Sequence, residues 1–225
     1  KELGIPVAVI TNSSLIWRDD VKKDLMNADW ISLKVDSVSE EDWFWINRPH
    51  RSLNLAGILE ETVRFASCYR GRLNTESMLL DKTCIGEERL EKLGDYLGRL
   101  MPEKSYLSVP IRPPVDSGAE GPDEEHLNRA FQIVSSRVKT VEYLVGYEGD
   151  AFSSTGDIET DLLAITAVHP MRREAVEKMI HEHKADWHMV ESMLEKGELT
   201  TSMYKGHTYF MRNLKKRDRM EQGSG

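Results

Sequence analysis

The sequence contains little cysteine: Cys68 and Cys84 are the only two in 225 residues, and no CxxC pair occurs. Two thiols so far apart support neither a disulfide framework nor a cysteine-based zinc site. Reduced thiols are typical of proteins from the cytoplasm. We therefore expect a cytoplasmic protein without structural disulfides.

Several other features are also missing. No apolar run approaches the length of a membrane span and no signal-peptide pattern opens the chain, so no membrane association is expected. P-loop, GxGxxG and serine-elbow motifs are absent. His181 and His183 would point to different sides of a helix, and the other histidines have no chelating spacing. We therefore expect no metal site.

Positive charge is scarce relative to negative charge, with 30 Lys and Arg against 38 Asp and Glu, a net charge of −8. This balance disfavours a general nucleic-acid coating role. Basic residues do concentrate near the C-terminus, where Lys205 and Arg212 precede a basic tail. A local phosphate-binding surface is therefore compatible with the sequence.

The stretch around which the chain is organised runs from residue 29 to residue 37. Ile31, Leu33 and Val35 alternate there with Ser32, Lys34 and Asp36, a period of two that predicts a strand with one polar face. Residues 73–80 and 106–112 repeat the pattern. Asn74 and Glu76 share the polar face of the first segment, and Ser108 and Arg112 share the polar face of the second. Charged side chains facing the inside of a sheet are costly unless they meet a ligand or each other. We interpret them as the lining of a polar, ligand-binding lumen; the alternative is a set of antiparallel strands with a solvated face.

Helical segments separate these strands. Strands are predicted at 7–11, 30–36, 73–80, 106–112 and 141–145, and helices at 18–28, 55–69, 87–100 and 123–138. This alternation predicts an α/β fold with a parallel sheet, a partial (β/α) barrel covering residues 1–150. Three helices and a hairpin, within residues 157–213, follow a linker and predict a small α+β winged-helix-like domain. Residues 214–225 are expected to form a flexible tail.

In parallel barrels, binding sites lie at the carboxyl ends of the strands. The candidate cofactor-binding residues are Asn12, Ser14, Lys34, Asp36, Asn74 and Glu76, and the candidate substrate-binding residues are Arg48, His50, Ser108 and Arg112. Donors, a cation and acids suit a zwitterionic or ribose-bearing ligand. The alternative is that Lys34–Asp36 or Glu76–Arg112 pairs only balance charge.

Five segments together resemble radical S-adenosylmethionine proteins, in the Fe-S oxidoreductase branch similar to the tRNA wyosine synthases. They are residues 5–15 (IPVAVITNSSL), 28–36 (ADWISLKVD), 46–50 (INRPH), 75–79 (TESML) and 106–114 (YLSVPIRPP). The resemblance implies a barrel in which a [4Fe-4S] cluster, held by CxxxCxxC, cleaves S-adenosylmethionine to start radical chemistry. It also implies that Asn12, Lys34, Asp36 and Glu76 hold polar parts of the cofactor.

The chain departs from that family pattern in several places. CxxxCxxC and the family's Gly-Gly-Glu stretch are absent, and Ser13 and Ser37 stand where the family has Gly and Ala. We expect the cluster motif to lie upstream of Lys1, so that this chain alone binds no cluster.

The sequence is also compatible with two other functions. One is a non-catalytic binding module whose winged helix contacts tRNA, DNA or a protein partner, against the simpler interpretation of a small packing domain with a basic tail. The other is an acid–base enzyme that uses Glu76 and Lys34.

Overall fold

The computed structural model describes residues 4–84, 86–114, 116, 118–144 and 156–213. Within them the chain forms two compact units. The first unit comprises residues 4–110 and 118–144, and the second comprises residues 111–116 and 156–213. Nearly all of the predicted linker and the whole of the predicted tail lie outside the described residues.

The first unit is built on a five-stranded parallel sheet in the sequential order β1-β2-β3-β4-β5. The strands are β1 (Ala8–Thr11), β2 (Trp30–Lys34), β3 (Arg72–Met78), β4 (Lys104–Ser108) and β5 (Val141–Leu144). The helices are α1 (Asp19–Leu25), α2 (Glu40–Asn47), α3 (Leu55–Cys68), α4 (Asp81–Cys84), α5 (Glu87–Leu100) and α6 (Glu124–Ser135). The predicted α/β class is confirmed, and the antiparallel alternative is wrong because every described pairing in this sheet is parallel.

One face of this sheet carries the core of the unit. Leu33 and Leu107 are fully buried on it, and they belong to clusters that include Phe65 of α3 and Leu97 of α5. Burial of such a side chain contributes about 1.5–3 kcal/mol. Since side chains alternate along a strand, the polar residues between these positions are placed on the opposite face.

The carboxyl end of β4 differs from the prediction. The strand ends at Ser108, so the strand expected over residues 106–112 is too long. Pro110 and Pro113 lack the N–H group that a sheet ladder requires, which accounts for the early end. Arg112 therefore does not share a strand face with Ser108, and it belongs to the second unit.

The second unit combines helices with a small antiparallel sheet of order β6-β8-β7. Its elements are α7 (Ile158–Val168), β6 (Met171–Arg172), α8 (Arg173–Glu182), α9 (His188–Glu195), β7 (Leu199–Tyr204) and β8 (His207–Arg212). The predicted helices and hairpin are present, while β6 was not predicted because two residues carry no periodicity. Tyr209 is fully buried, and its hydroxyl donates to the carbonyl of Ile111 at 2.8 Å.

Protonation of His169 is expected to lower the stability of the second unit at acidic pH. Burial lowers the pKa of His169, and the positive charge of Arg112 lowers this pKa further. The unfolded state therefore binds the proton more readily, so stability is complete above about pH 6.5 and is lost as the pH falls towards the folded-state pKa. We expect His169→Gln to flatten the pH dependence of the unfolding free energy in that window.

This prediction is checked by denaturant unfolding at several pH values. His126, in the first unit, has its pKa raised by hydrogen bonding to Asp123 and by the charge of that carboxylate, which gives the opposite slope. The informative quantity is therefore the difference between wild type and His169→Gln, with His181→Gln as a control for loss of an exposed imidazole. Identical slopes in the wild type and His169→Gln would contradict the assignment.

Among the described residues, no helix has the length and apolar character needed to cross a membrane.

Candidate functional site

The register of the sheet brings the polar residues of β2 and β3 together. Ser32 lies beside Asn74, and Lys34 lies beside Glu76. One strand further along, Met78 lies beside Ser108. These pairings place the predicted polar residues on a common face, near the carboxyl ends of their strands.

Lys34 is at the centre of this group. Its ammonium nitrogen lies 3.2 Å from Asp36 Oδ1 and 3.3 Å from Glu76 Oε1. The side chains of Lys34 and Glu76 are each 25% exposed, whereas that of Asp36 is fully buried. The anticipated charge balance between Lys34 and Asp36 is therefore present, and Lys34 also pairs with Glu76. One ammonium between two carboxylates leaves the group with an excess of one negative charge.

Asp36 is held in place from two sides. Asn47, at the end of α2, donates to its Oδ2 at 2.6 Å, and the Met78 backbone N–H donates to its Oδ1 at 2.8 Å. With Lys34, three donors surround this buried carboxylate, which accounts for its burial as a charged group. Asn47 was not proposed as a site residue from the sequence. The sequence feature that could have indicated Asn47 as a site residue is its position inside the INRPH segment.

Glu76 is the more accessible of the two carboxylates. Its Oε1 accepts a hydrogen bond from the Ser108 hydroxyl at 3.1 Å, in addition to the contact with Lys34. Within the described part of the chain, its Oε2 makes no hydrogen bond. The site thus presents an accessible anionic oxygen on a positioned side chain, which is suited to a cationic or hydroxyl-bearing ligand.

Asn74 is placed on the same face but is already engaged. It is buried, and with its amide oriented to satisfy its neighbours its Oδ1 accepts from the indole N–H of Trp30 at 2.8 Å. Its Nδ2 then donates to the Leu73 carbonyl at 2.9 Å. These contacts give Asn74 a packing role, and its predicted contact with a cofactor stays a prediction.

A small cavity of about 30 Å³ lies beside Lys34 and Asp36. Its lining includes the polar residues Asn12, Ser13, Lys34, Asp36, Ser37 and Asn47, together with Trp43, Tyr96 and residues of α3. The Tyr96 hydroxyl donates to the Leu59 carbonyl, and burial raises the pKa of Tyr96 to about 12. The hydroxyl of Tyr96 is therefore a neutral group at physiological pH.

The remaining predicted residues lie outside this cavity. Ser14 is half-buried and its N–H donates to Asn12 Oδ1, while Arg48 and His50 are exposed in the loop after α2. His50 Nδ1 lies 2.8 Å from the Ser52 hydroxyl. Arg112 belongs to the second unit. Their predicted roles in binding a cofactor or substrate stay predictions.

Among the described residues, no three His, Cys, Asp or Glu side chains come together as metal ligands. The donor set of the site consists of an amine, amides, hydroxyls and carboxylates. It does not fit an iron–sulfur cluster, which is held by cysteine thiolates.

The solved structures show which fold the first unit shares. A domain of the pyruvate-formate lyase-activating enzyme from Bacteroides vulgatus aligns with 65% of this chain and 84% of its own length, at 17% identity and a TM-score of 0.50. A radical SAM methyltransferase from Sphaerobacter thermophilus aligns at 17% identity over 63% of this chain and 40% of its own length, with a TM-score of 0.46. The five-stranded parallel sheet and its helices thus share the fold of the Bacteroides vulgatus domain, in agreement with the α/β fold class that the resemblance implied.

Sequence relatives define the family. No protein-family model matches the chain. The UPF0026 protein MJ1312 of Methanocaldococcus jannaschii is 39% identical over 221 residues, which is 97% of this chain and 69% of that protein. The UPF0026 protein slr1464 of Synechocystis sp. is 32% identical over 125 residues, covering 54% of this chain and 45% of that protein. The extent of the match to MJ1312 shows that this chain belongs to the UPF0026 family.

Proposed function

We propose that this chain is part of a radical S-adenosylmethionine enzyme and that the polar face of its sheet binds S-adenosylmethionine. The observation that carries the proposal is the cluster of Lys34, Asp36 and Glu76, with its net negative charge and one accessible carboxylate oxygen. The ligand has a sulfonium and an ammonium group against a single carboxylate. Its positive charge therefore complements the charge of the site.

Each residue has a distinct role in this proposal. Glu76 binds a cationic group or a hydroxyl of the ligand through its accessible oxygen. Lys34 and Ser108 orient Glu76, and Asn47 and the Met78 N–H hold Asp36 in place beside Lys34. The ligand would supply a 5′-deoxyadenosyl radical after reductive cleavage by a [4Fe-4S] cluster. The CxxxCxxC motif that would hold such a cluster does not occur among these 225 residues.

The binding part of this proposal is tested by calorimetric titration of the purified chain with S-adenosylmethionine. We expect saturable binding to one site, and Glu76→Gln to weaken it about 10- to 100-fold, since a hydrogen bond to a charged group contributes about 1.5–3 kcal/mol. Glu103→Gln is the matched control, because Glu103 pairs with Arg72 at the opposite ends of the strands. Equal affinities for the wild type and Glu76→Gln would contradict the proposed contact.

The enzymatic part requires a preparation that holds a cluster. We expect MJ1312, of which this chain spans 69%, to form 5′-deoxyadenosine after anaerobic reconstitution with iron and sulfide. A cluster-loaded preparation that forms none would remove the enzymatic claim.

The alternative function, a nucleic-acid-binding winged helix, is not favoured by the second unit. Residues 156–213 contain seven Lys and Arg against ten Asp and Glu, a net charge of −3. Binding to a phosphate backbone depends on a positive surface. Nor is the acid–base alternative favoured, because Glu76 and Lys34 pair with each other at 3.3 Å.

A further inference from the structure

Aromatic side chains are incompletely buried near the carboxyl end of α2. Phe44 is 49% exposed, and its ring packs edge-on against the ring of Trp43, with 5.4 Å between the ring centroids. Trp45, the next residue, is half-buried. A ring that stays half in water leaves apolar surface available, and aromatic side chains commonly line the sites where proteins bind small molecules.

Positively charged residues lie next to these rings in space or in the chain. The Lys82 ammonium lies 5.0 Å from the centre of the Trp45 ring, a distance at which a cation and a ring attract each other. Arg48 lies one helical turn beyond Phe44, and its backbone N–H donates to the Phe44 carbonyl at 3.2 Å. Arg51 follows in the same loop, is exposed and makes no ion pair with the residues that the structure describes. We call these five residues the α2 surface: Phe44, Trp45, Arg48, Arg51 and Lys82.

The α2 surface is positively charged in a chain of negative charge. Residues 44–52 and 81–82 contain three Lys and Arg side chains against one carboxylate, that of Asp81, whereas the chain as a whole has a net charge of −8. Two of the three acidic residues at the other end of the helix are engaged, because Glu41 and Asp42 both pair with an arginine of α5. The carboxyl end of α2 therefore attracts an anionic group.

The α2 surface also adjoins the polar face of the sheet. Asn47 belongs to the same end of the helix and donates to Asp36 Oδ2 at 2.6 Å. Phe44 and Asn47 are three residues apart, which makes them neighbours on a helix, with about 5–6 Å between their Cβ atoms. A molecule whose ring packs on Phe44 is therefore close to the group formed by Lys34, Asp36 and Glu76.

We propose that the α2 surface binds a small molecule that carries a planar ring and an anionic group. The ring packs on Phe44, and the anionic group contacts Lys82 and the arginines that follow the helix. Both parts of the ligand are required, because the surface combines an exposed ring with an excess of positive charge. The position beside the polar face assigns this molecule as the substrate; that assignment rests on the proposed function, whereas the binding itself does not.

The proposal is tested by titrating the ¹⁵N-labelled chain with 1-naphthyl phosphate and following the backbone amide signals in NMR spectra. This probe has a ring and an anionic group but neither the adenine nor the sulfonium of S-adenosylmethionine. We expect saturable shifts of the amide signals from residues 40–52. 1-Naphthol, which lacks the charge, and inorganic phosphate, which lacks the ring, should each bind about tenfold more weakly or worse.

Substitutions separate the contributions of the ring and of the charge. Phe44→Ala should weaken binding of the probe about fivefold, and Phe44→Tyr, which keeps the ring, should bind like the wild type. Lys82→Gln should also weaken binding about fivefold, and added salt should lower the affinity of the wild type. The controls are Met101→Ala and Arg70→Gln, which change exposed residues just before β4 and β3 and should leave binding unchanged.

Denaturant unfolding of each variant accompanies the titrations. The substituted residues are exposed, so their unfolding midpoints should match that of the wild type, and Lys82→Gln keeps the test decisive if Phe44→Ala is unstable. A wild type that shows no saturable binding of the probe overturns the proposal, as does wild-type affinity in both Phe44→Ala and Lys82→Gln.

A parallel titration with S-adenosylmethionine distinguishes this inference from the proposed function. A chain that binds 1-naphthyl phosphate through the α2 surface and binds no S-adenosylmethionine retains the surface and loses the proposed function. The reverse result removes the α2 surface as a binding site and leaves the proposed function in place.

Discussion

Replacing Lys34 with methionine is expected to lower the unfolding free energy of the first unit by about 2–3 kcal/mol. The substitution removes the cation between Asp36 and Glu76 and leaves two carboxylates without their shared partner. Loss of one member of a buried ion pair typically costs about 3–5 kcal/mol, and the partial exposure of Lys34 reduces the expected cost to below that range. Denaturant unfolding, with hydrogen exchange of the β2 and β3 amides, measures the effect.

A double-mutant cycle shows whether the loss comes from the charges. We expect Lys34→Met combined with Glu76→Gln to recover part of the stability lost in Lys34→Met, because the second change removes one of the two repelling carboxylates. Lys23→Met is the control, since Lys23 is exposed on α1. Strictly additive effects of the two substitutions would show that Lys34 and Glu76 do not interact energetically.

Leu107→Ala is expected to destabilise the first unit by about 3 kcal/mol. Leu107 is fully buried on the helix-covered face of β4, in the same cluster as Leu97 of α5 and Val134 of α6. Deleting a buried leucine side chain leaves a cavity whose lining relaxes only in part, and such changes cost about 2–5 kcal/mol. The unfolding midpoint should fall markedly.

The substitution also tests how the core supports the site. Ser108, which follows Leu107, donates to Glu76 on the other face, so a shift of β4 should weaken ligand binding as well. Leu144→Ala, at an exposed position on β5, is the matched control and should change stability by less than about 0.5 kcal/mol. A loss from Leu107→Ala as small as that of the control would contradict the described core.

The parallel sheet could be predicted from the sequence because alternating polar and apolar residues recur in segments separated by helical patterns. The same alternation assigned Lys34 and Glu76 to a common polar face. It could not predict the pairing of Lys34 with Glu76, 42 positions apart, because this contact depends on the register of two strands. A period of two specifies a face and leaves the neighbours on that face undetermined.

The alternation of polar and apolar residues also could not predict where strands end or which residues the loops contact. The prediction extended β4 to Arg112, but the strand ends at Ser108, and residues 111–116 group with the second unit. Asn47, at the end of α2, and Ser13, in the loop after β1, line the same small cavity. Such positions depend on how loops close over the sheet, a matter of packing rather than of local periodicity.

For this protein, the sequence by itself determined the α/β class, the sequential parallel strands and the polarity of one sheet face, since these follow from local periodicity. Only the tertiary structure decided that Lys34 lies between Asp36 and Glu76, that Asn47 holds Asp36, and that the Ser13 hydroxyl is buried without a hydrogen-bond partner among the described residues. The reason is that each of these facts joins residues from separate elements, whose distances are determined by register and packing.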